Sequence, residues 1–288
     1  MQSEPTRLSR QYPRVLSIAG SDSGGGAGIQ ADLKTLSALG CYGMTAITAV
    51  TAQNTLGVTA LHAVPAAIVK AQIAAVFDDI GVDAVKIGML HSPQIVHVVA
   101  RALARYRVRH VVLDPVMLAT SGDRLMAPEA VDAMVRELFP RASVVTPNLD
   151  EAALLLGRAA HSITRIDQLD AAARELLALG APAVLLKGGH LHGDTVVDVL
   201  ARGAGDWRHL QAPRIASRNL HGTGCTLAAA IAAHLALGHA LDEAVALARR
   251  YVLQAIAAGV DVRTGSGRGP LNHGHAPVPM HKRPLAQP

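Results

Sequence analysis

An α/β fold, with a mostly parallel sheet covered by helices on both faces, is the class the sequence predicts, and three observations predict it. Short β-branched runs alternate with longer alanine- and leucine-rich segments, and the longer segments carry helical periodicity that often stops at Gly or Pro. Half of the 288 residues are hydrophobic and 17% are charged, enough apolar surface to bury a core without metals or disulfides. The runs are continuous rather than alternating, as expected of strands buried on both faces.

The elements follow in order. "RVLSIAG" (14–20) predicts the first strand, and "GIQADLKTLSALG" (28–40) a helix closed by Gly40. "MTAITAV" (44–50), "DAVKIGM" (83–89), "HVVLDPVM" (110–117), "SVVTPN" (143–148) and "PAVLLKG" (182–188) predict further strands. Between them, 65–81, 93–106, 128–140 and 149–157 read as helices, several opened by proline. Segments 194–200 and 207–213 flank "RGAGD", a turn signal, and predict an edge hairpin. Helices at 223–236 and 242–259 close the chain.

No composition break or fixed-period repeat marks a second domain. The expected organisation is a polar tail over 1–13, one domain over 14–270, and an irregular Pro/His-rich tail over 271–288. The N-terminal stretch has no apolar segment of a secretory signal, and two cysteines fit a reducing cytoplasm. Thr35–Val69 is free of charged residues, but Gly, Gln, Asn and Pro interrupt it, so it reads as strand and site wall and not as a membrane span. A net charge of +5 permits an anionic partner, yet seven aromatics leave little for a base-stacking platform, so no nucleic-acid partner is expected.

In such sheets ligands collect beyond the carboxyl ends of the strands. Gly20 to Asp22, Gln53, Gly88 and Met89, Asp114, Asn148 and Lys187 all fall there. "GSDSGGGAGIQAD" (20–32) fits the G-x-G-x-x-A dinucleotide pattern through Gly26, Gly28 and Ala31, but no acidic residue follows between Asp32 and Asp78 to hold a ribose. No Gly-Lys pair occurs, which excludes a Walker loop. "HGTGCTLAAA" (221–230) runs a glycine turn straight into a helix, and first-turn amides there suit an anion. Cys225 at that helix start is expected to have a lowered pKa, favouring thiolate; buried in apolar packing it would be an inert small hydrophobe. Asn148 and Glu151 have capping-box spacing, and equally offer an amide and a carboxylate near Mg²⁺. Asp114 and Lys187 end buried strands, either as a structural ion pair or as partners of a metal and polyphosphate.

With "TAQNT", "KIGML", "VVLDPVM", "TPNLDEA", "LLKGGH" and the late "GPLNH" beside these, the chain resembles the hydroxymethylpyrimidine/phosphomethylpyrimidine kinases of thiamine biosynthesis, over about 15 to 275. The resemblance implies a ribokinase-like three-layer α/β/α sandwich, MgATP, a cytoplasmic homodimer, and phosphorylation of a pyrimidine alcohol and then its monophosphate. It places the pyrimidine at Gly20, Asp32, Gln53 and Met89, and ATP and phosphate at Asp114, Asn148, Glu151, Lys187 and Thr223, with Asp114 and Glu151 nearest the metal. It makes Gly222, Gly224 and Cys225 catalytic, the cysteine standing where most ribokinase-like enzymes carry an aspartate base. A pyridoxal or pyridoxine kinase is the alternative. Two departures stand out: Thr51 where some relatives have Val, and Arg268 where others have His.

Overall fold

The computed structural model describes residues 9–118, 125–203 and 205–285, so the outer ends of both expected tails, 1–8 and 286–288, lie outside it. In chain order the elements are β1 (Arg10–Gln11), β2 (Arg14–Asp22), α1 (Gly28–Ala38), β3 (Tyr42–Gln53), β4 (Val58–Ala63), α2 (Ala66–Ala75), β5 (Ala84–Ile87), α3 (Pro93–Arg105) and β6 (Val111–Leu113). There follow α4 (Pro128–Glu137), β7 (Val144–Val145), α5 (Leu149–Leu155), α6 (Leu169–Ala178), β8 (Ala183–Leu186), β9 (Thr195–Arg202), β10 (Asp206–Pro213), α7 (Thr223–Ala236), α8 (Leu241–Ala257) and β11 (Arg283–Pro284).

Nine strands form one sheet in the order β10-β9-β8-β7-β6-β5-β2-β3-β4. The six from β8 to β3 are parallel, while β4 at one edge and the β9–β10 hairpin at the other are antiparallel. Side chains alternate across the sheet and build two cores. Leu16, Ile18, Val85, Ile87 and Leu113 pack under α2 to α6, whereas Val15, Val112, Val144 and Leu185 pack against α1, α7 and α8. The result is a three-layer, ribokinase-like sandwich. Every residue of α7 from Thr226 to Ala236 is buried, and its alanines let it lie close to the sheet beneath α8.

The chain leaves β2 for β3 on one side and returns to place β5 on the other. Strand order therefore reverses at β2, and the crevice beyond its carboxyl end is where this class of sheet opens for a ligand. The β2–β3 register also shifts between Ala19 and Ser21, at Gly20, bending the strand at the mouth of the crevice.

Three features differ from expectation. β4 was not anticipated, because an edge strand with half its side chains exposed and none fully buried lacks a clear burial pattern. The helix expected over 65–81 ends at Ala75 and finishes as a π turn at Val76–Ile80, closed by Gly81 at φ +78°. The C-terminal segment is not merely irregular. Val278 N donates to Ala38 O, His281 N to Gly40 O, and β11 pairs with β1, strapping both ends of the described chain to the body.

Candidate active site

Asp114 follows β6, Lys187 follows β8, and Glu151 lies in the first turn of α5, so three strand ends deliver three charges to one place. Lys187 Nζ donates to Asp114 Oδ1 at 2.9 Å and lies 4.0 Å from Glu151 Oε2; Thr146 Oγ1 also reaches Asp114 Oδ1, at 3.2 Å. Burial pushes the Glu151 carboxyl up to about 7, with the Asp114 charge adding to it and Lys187 opposing. The capping box is fully formed: Asn148 Oδ1 accepts from Glu151 N at 2.9 Å, and Glu151 Oε2 accepts from Asn148 N at 2.8 Å. The Asn148 oxygen is thus engaged at the helix start, and the two buried carboxylates are the oxygens that could hold a hard cation.

The α7 turn closes on this cluster. Gly222 has φ +84°, and a Cβ there would lie 1.8 Å from Gly26 O, so only glycine lets the turn nest against the 22–27 loop. A Cβ on Gly224 would lie 3.1 Å from Lys187 Nζ and 3.6 Å from Asp114 Oδ2, so the space beside the helix start faces the charged cluster. The first bond of the helical ladder runs from Thr226 N to Gly222 O. Thr223 turns backward, its amide and hydroxyl both donating to Leu220 O, which leaves the Gly224 and Cys225 amides ahead of the ladder to meet an anion.

Cys225 corrects the expectation of a lowered pKa. Burial pushes its thiol up to about 11; the Lys86 ammonium and the Gly28 amide pull it down, while Asp32 and Asp114 push it further up. The helix start does not outweigh desolvation and two carboxylates.

The other end of the site lies in the crevice. Gly20 and Met89 touch, since a Cβ on Gly20 would come within 2.6 Å of Met89 Cε. Gln53, partly exposed at the end of β3, lies 3.1 Å from Thr51 Oγ1 and 3.3 Å from His221 Nε2. Asp32 is fully buried on α1, where its Oδ2 accepts from Ser17 Oγ at 2.5 Å and from Lys86 Nζ at 2.9 Å, while its Oδ1 has no hydrogen-bond partner among the described residues.

The sequence profile of the phosphomethylpyrimidine kinase family matches residues 22–272. The hydroxymethylpyrimidine/phosphomethylpyrimidine kinase of Rhizobium meliloti (strain 1021) is 56% identical over 263 residues, which is 91% of this chain and 97% of that protein. The chain belongs to the phosphomethylpyrimidine kinase family. Among solved structures, the phosphomethylpyrimidine kinase of Clostridium difficile 630 superposes with a TM-score of 0.73 at 45% identity, over 84% of this chain and 99% of that one. An ADP complex of Bacillus subtilis pyridoxal kinase gives a TM-score of 0.84 at 36% identity, over 92% and 98%. Phosphomethylpyrimidine and pyridoxal kinases therefore share this backbone, and side chains must separate them.

Two groups of this kinase escaped the sequence reading. Lys86 is wholly buried mid-strand, opposite Ser17 of β2, and its charge reaches Cys225; a lysine inside an apolar strand run was the signal available. His221 Nε2 lies 3.1 Å from Asp22 Oδ2 and joins the 22–27 loop to the α7 turn. Burial works against ionising Asp22, but His221 and the amides of Ala27 and Gly24 hold its carboxyl below the usual range.

Proposed function

We propose that this kinase transfers phosphoryl groups from MgATP first to 4-amino-5-hydroxymethyl-2-methylpyrimidine and then to the resulting monophosphate, in thiamine biosynthesis. One observation carries the reading: the first turn of α7 serves both ends of the site. Gly224 borders the Lys187–Asp114 pair, and Cys225, one residue on, neighbours the Lys86–Asp32 pair beneath the crevice.

Lys187 and the Gly224 and Cys225 amides hold the transferring phosphoryl group. An anion at such a helix start gains roughly 0.3–1 kcal/mol, and a donor aimed at charge developing in the transition state is worth about 3 kcal/mol. Two buried carboxylates sharing one ammonium leave negative charge over, so their oxygens suit Mg²⁺, with Asp114 and Glu151 holding it and Asn148 fixing Glu151. Mg²⁺ there would neutralise charge on the phosphate oxygens.

Gly20, Met89 and Gln53 receive the ring, and the hydroxymethyl oxygen points at the α7 turn. Cys225 accepts its proton through its thiolate, a minor form near neutral pH that Lys86 favours and that burial, Asp32 and Asp114 oppose. Phosphoryl transfer has a loose transition state in most analyses, so positioning outweighs the base. The monophosphate reuses the same anion site one oxygen further out. The enzyme acts in the cytoplasm as a homodimer; two free thiols and the exposed side chains of Val50, Leu56 and Ile68 around β3 and β4 support this. Among the described residues no helix is long and apolar enough to cross a membrane.

The second step is the sharper test. Incubated with MgATP and the monophosphate alone, the enzyme forms the diphosphate with one ADP per product; no diphosphate would refute bifunctionality.

A further inference from the structure

The β3–β4 turn carries Gln53, yet strand pairing and burial do little to hold it. The register of β3 with β4 shifts between Ala52 and Gln53, so the ladder becomes irregular at Gln53 itself. Past it Leu56 is exposed, and the turn's internal bonds run from Asn54 N to Gly57 O and from Leu56 N to Asn54 Oδ1. A turn with so little buried apolar surface belongs to the part of a protein that opens at low cost. What keeps it closed must come from its neighbours.

Two hydroxyl side chains supply that support. Ser23, in the 22–27 loop, donates to Gln53 O at 2.7 Å and accepts from Gln53 N at 2.8 Å. Thr55 meets the segment that follows α8: its Oγ1 accepts from Gly267 N at 3.1 Å, and its carbonyl accepts from Arg268 N at 3.0 Å. That segment is shaped to receive it. A Cβ on Gly267 would lie 1.9 Å from Thr55 O, and one on Gly265, at φ +74°, would lie 2.3 Å from Thr55 Oγ1. The segment is fixed in turn to the entry of α7, where Asn219 Nδ2 donates to Gly259 O and Val262 O, and His221 N donates to Gly269 O. A chain of bonds therefore runs from the α7 turn, through 259–269, to the turn that bears Gln53.

We infer that Thr55 is a positioning residue for the pyrimidine: by docking the β3–β4 turn on the 265–268 segment, it holds Gln53 in register with the α7 turn. The inference rests on Gln53 receiving the ring. Without the Thr55 hydroxyl the turn spends part of its time away from the crevice, and the apparent affinity for the ring falls by the fraction of time it is displaced. Ser23 still holds the Gln53 backbone, so the loss is partial. Bound pyrimidine selects the closed turn, which spares kcat, and the MgATP side is built on other elements.

The test is steady-state kinetics with the pyrimidine alcohol and MgATP for wild type, Thr55→Val, Thr55→Ser, Gly265→Ala and Gln53→Leu, with melting temperatures recorded. Thr55→Val keeps the side chain's shape and removes the acceptor of Gly267 N, while Gly265→Ala displaces Thr55 by a different route. Both are expected to raise KM for the pyrimidine about 3- to 10-fold, the loss of roughly one hydrogen bond, with kcat and KM for MgATP within about twofold. Thr55→Ser, which keeps the hydroxyl, stays close to wild type. An unchanged pyrimidine KM in Thr55→Val, beside a raised one in Gln53→Leu, overturns the inference and spares the reading of Gln53. A rise in both Michaelis constants together with a lowered melting temperature also overturns it, because that is the mark of general loosening. An unchanged KM in Gln53→Leu removes the reading of Gln53 and the inference with it.

Discussion

At the scale of single residues, Cys225 concentrates the chemistry and the main correction. Its place at a helix start was legible, but its environment was not, because burial and the opposing charges of Lys86, Asp32 and Asp114 come from three other elements. With the thiol pushed up to about 11, the thiolate fraction grows with pH throughout the neutral range. The kinetic consequence is a kcat that rises with pH between about 6 and 9 in wild type. In Cys225→Ala, kcat falls by about 10² to 10⁴, the usual contribution of a proton acceptor, its pH profile flattens, and KM for MgATP stays within about twofold. A variant with near-normal kcat would remove the cysteine from the proton path. Asp32 makes the same point differently. The resemblance named it for the ring, but that one of its oxygens is held by Lys86, 54 positions away, could not be read from the motif.

Individual elements were legible where local chemistry determines them. The α5 capping box and the α7 glycine turn could be read from spacing alone, and both formed. β4, β1 and β11 could not, since an exposed edge and two-residue pairings carry no periodic signature. The α5 start also holds a conflict between stability and function. The Glu151 carboxyl is raised from an unfolded value near 4.5 to about 7. The folded state therefore binds its proton more tightly, and the stability this residue confers is present below about 4.5 and lost as pH rises through about 7. Glu151→Gln keeps an oxygen to accept from Asn148 and removes the buried charge. It is expected to raise the melting temperature of the ligand-free protein by about 3 °C at pH 8, with no gain at pH 4.5, while lowering kcat/KM at least tenfold. A variant that melts lower at pH 8 would show that the Lys187 ion pair outweighs the burial cost.

For the whole molecule, the reversal of strand order at β2 explains why residues scattered from Gly20 to Cys225 meet. The βα alternation was readable from composition, and the meeting place followed from where such sheets open. Strand order itself was not readable, because continuous apolar runs are interchangeable until crossovers choose their neighbours. Nor was the C-terminal strap, whose anchors to Ala38 and Gly40 are backbone bonds that carry no side-chain signature. The backbone serves phosphomethylpyrimidine and pyridoxal kinases alike, so the central claim is one of substrate. Its most direct test presents limiting MgATP and equal amounts of the pyrimidine alcohol, its monophosphate and pyridoxal to the enzyme in one vessel, and resolves the products by mass over time. The account predicts pyrimidine monophosphate first, diphosphate following, and little pyridoxal phosphate. Pyridoxal phosphate as the leading product would contradict it.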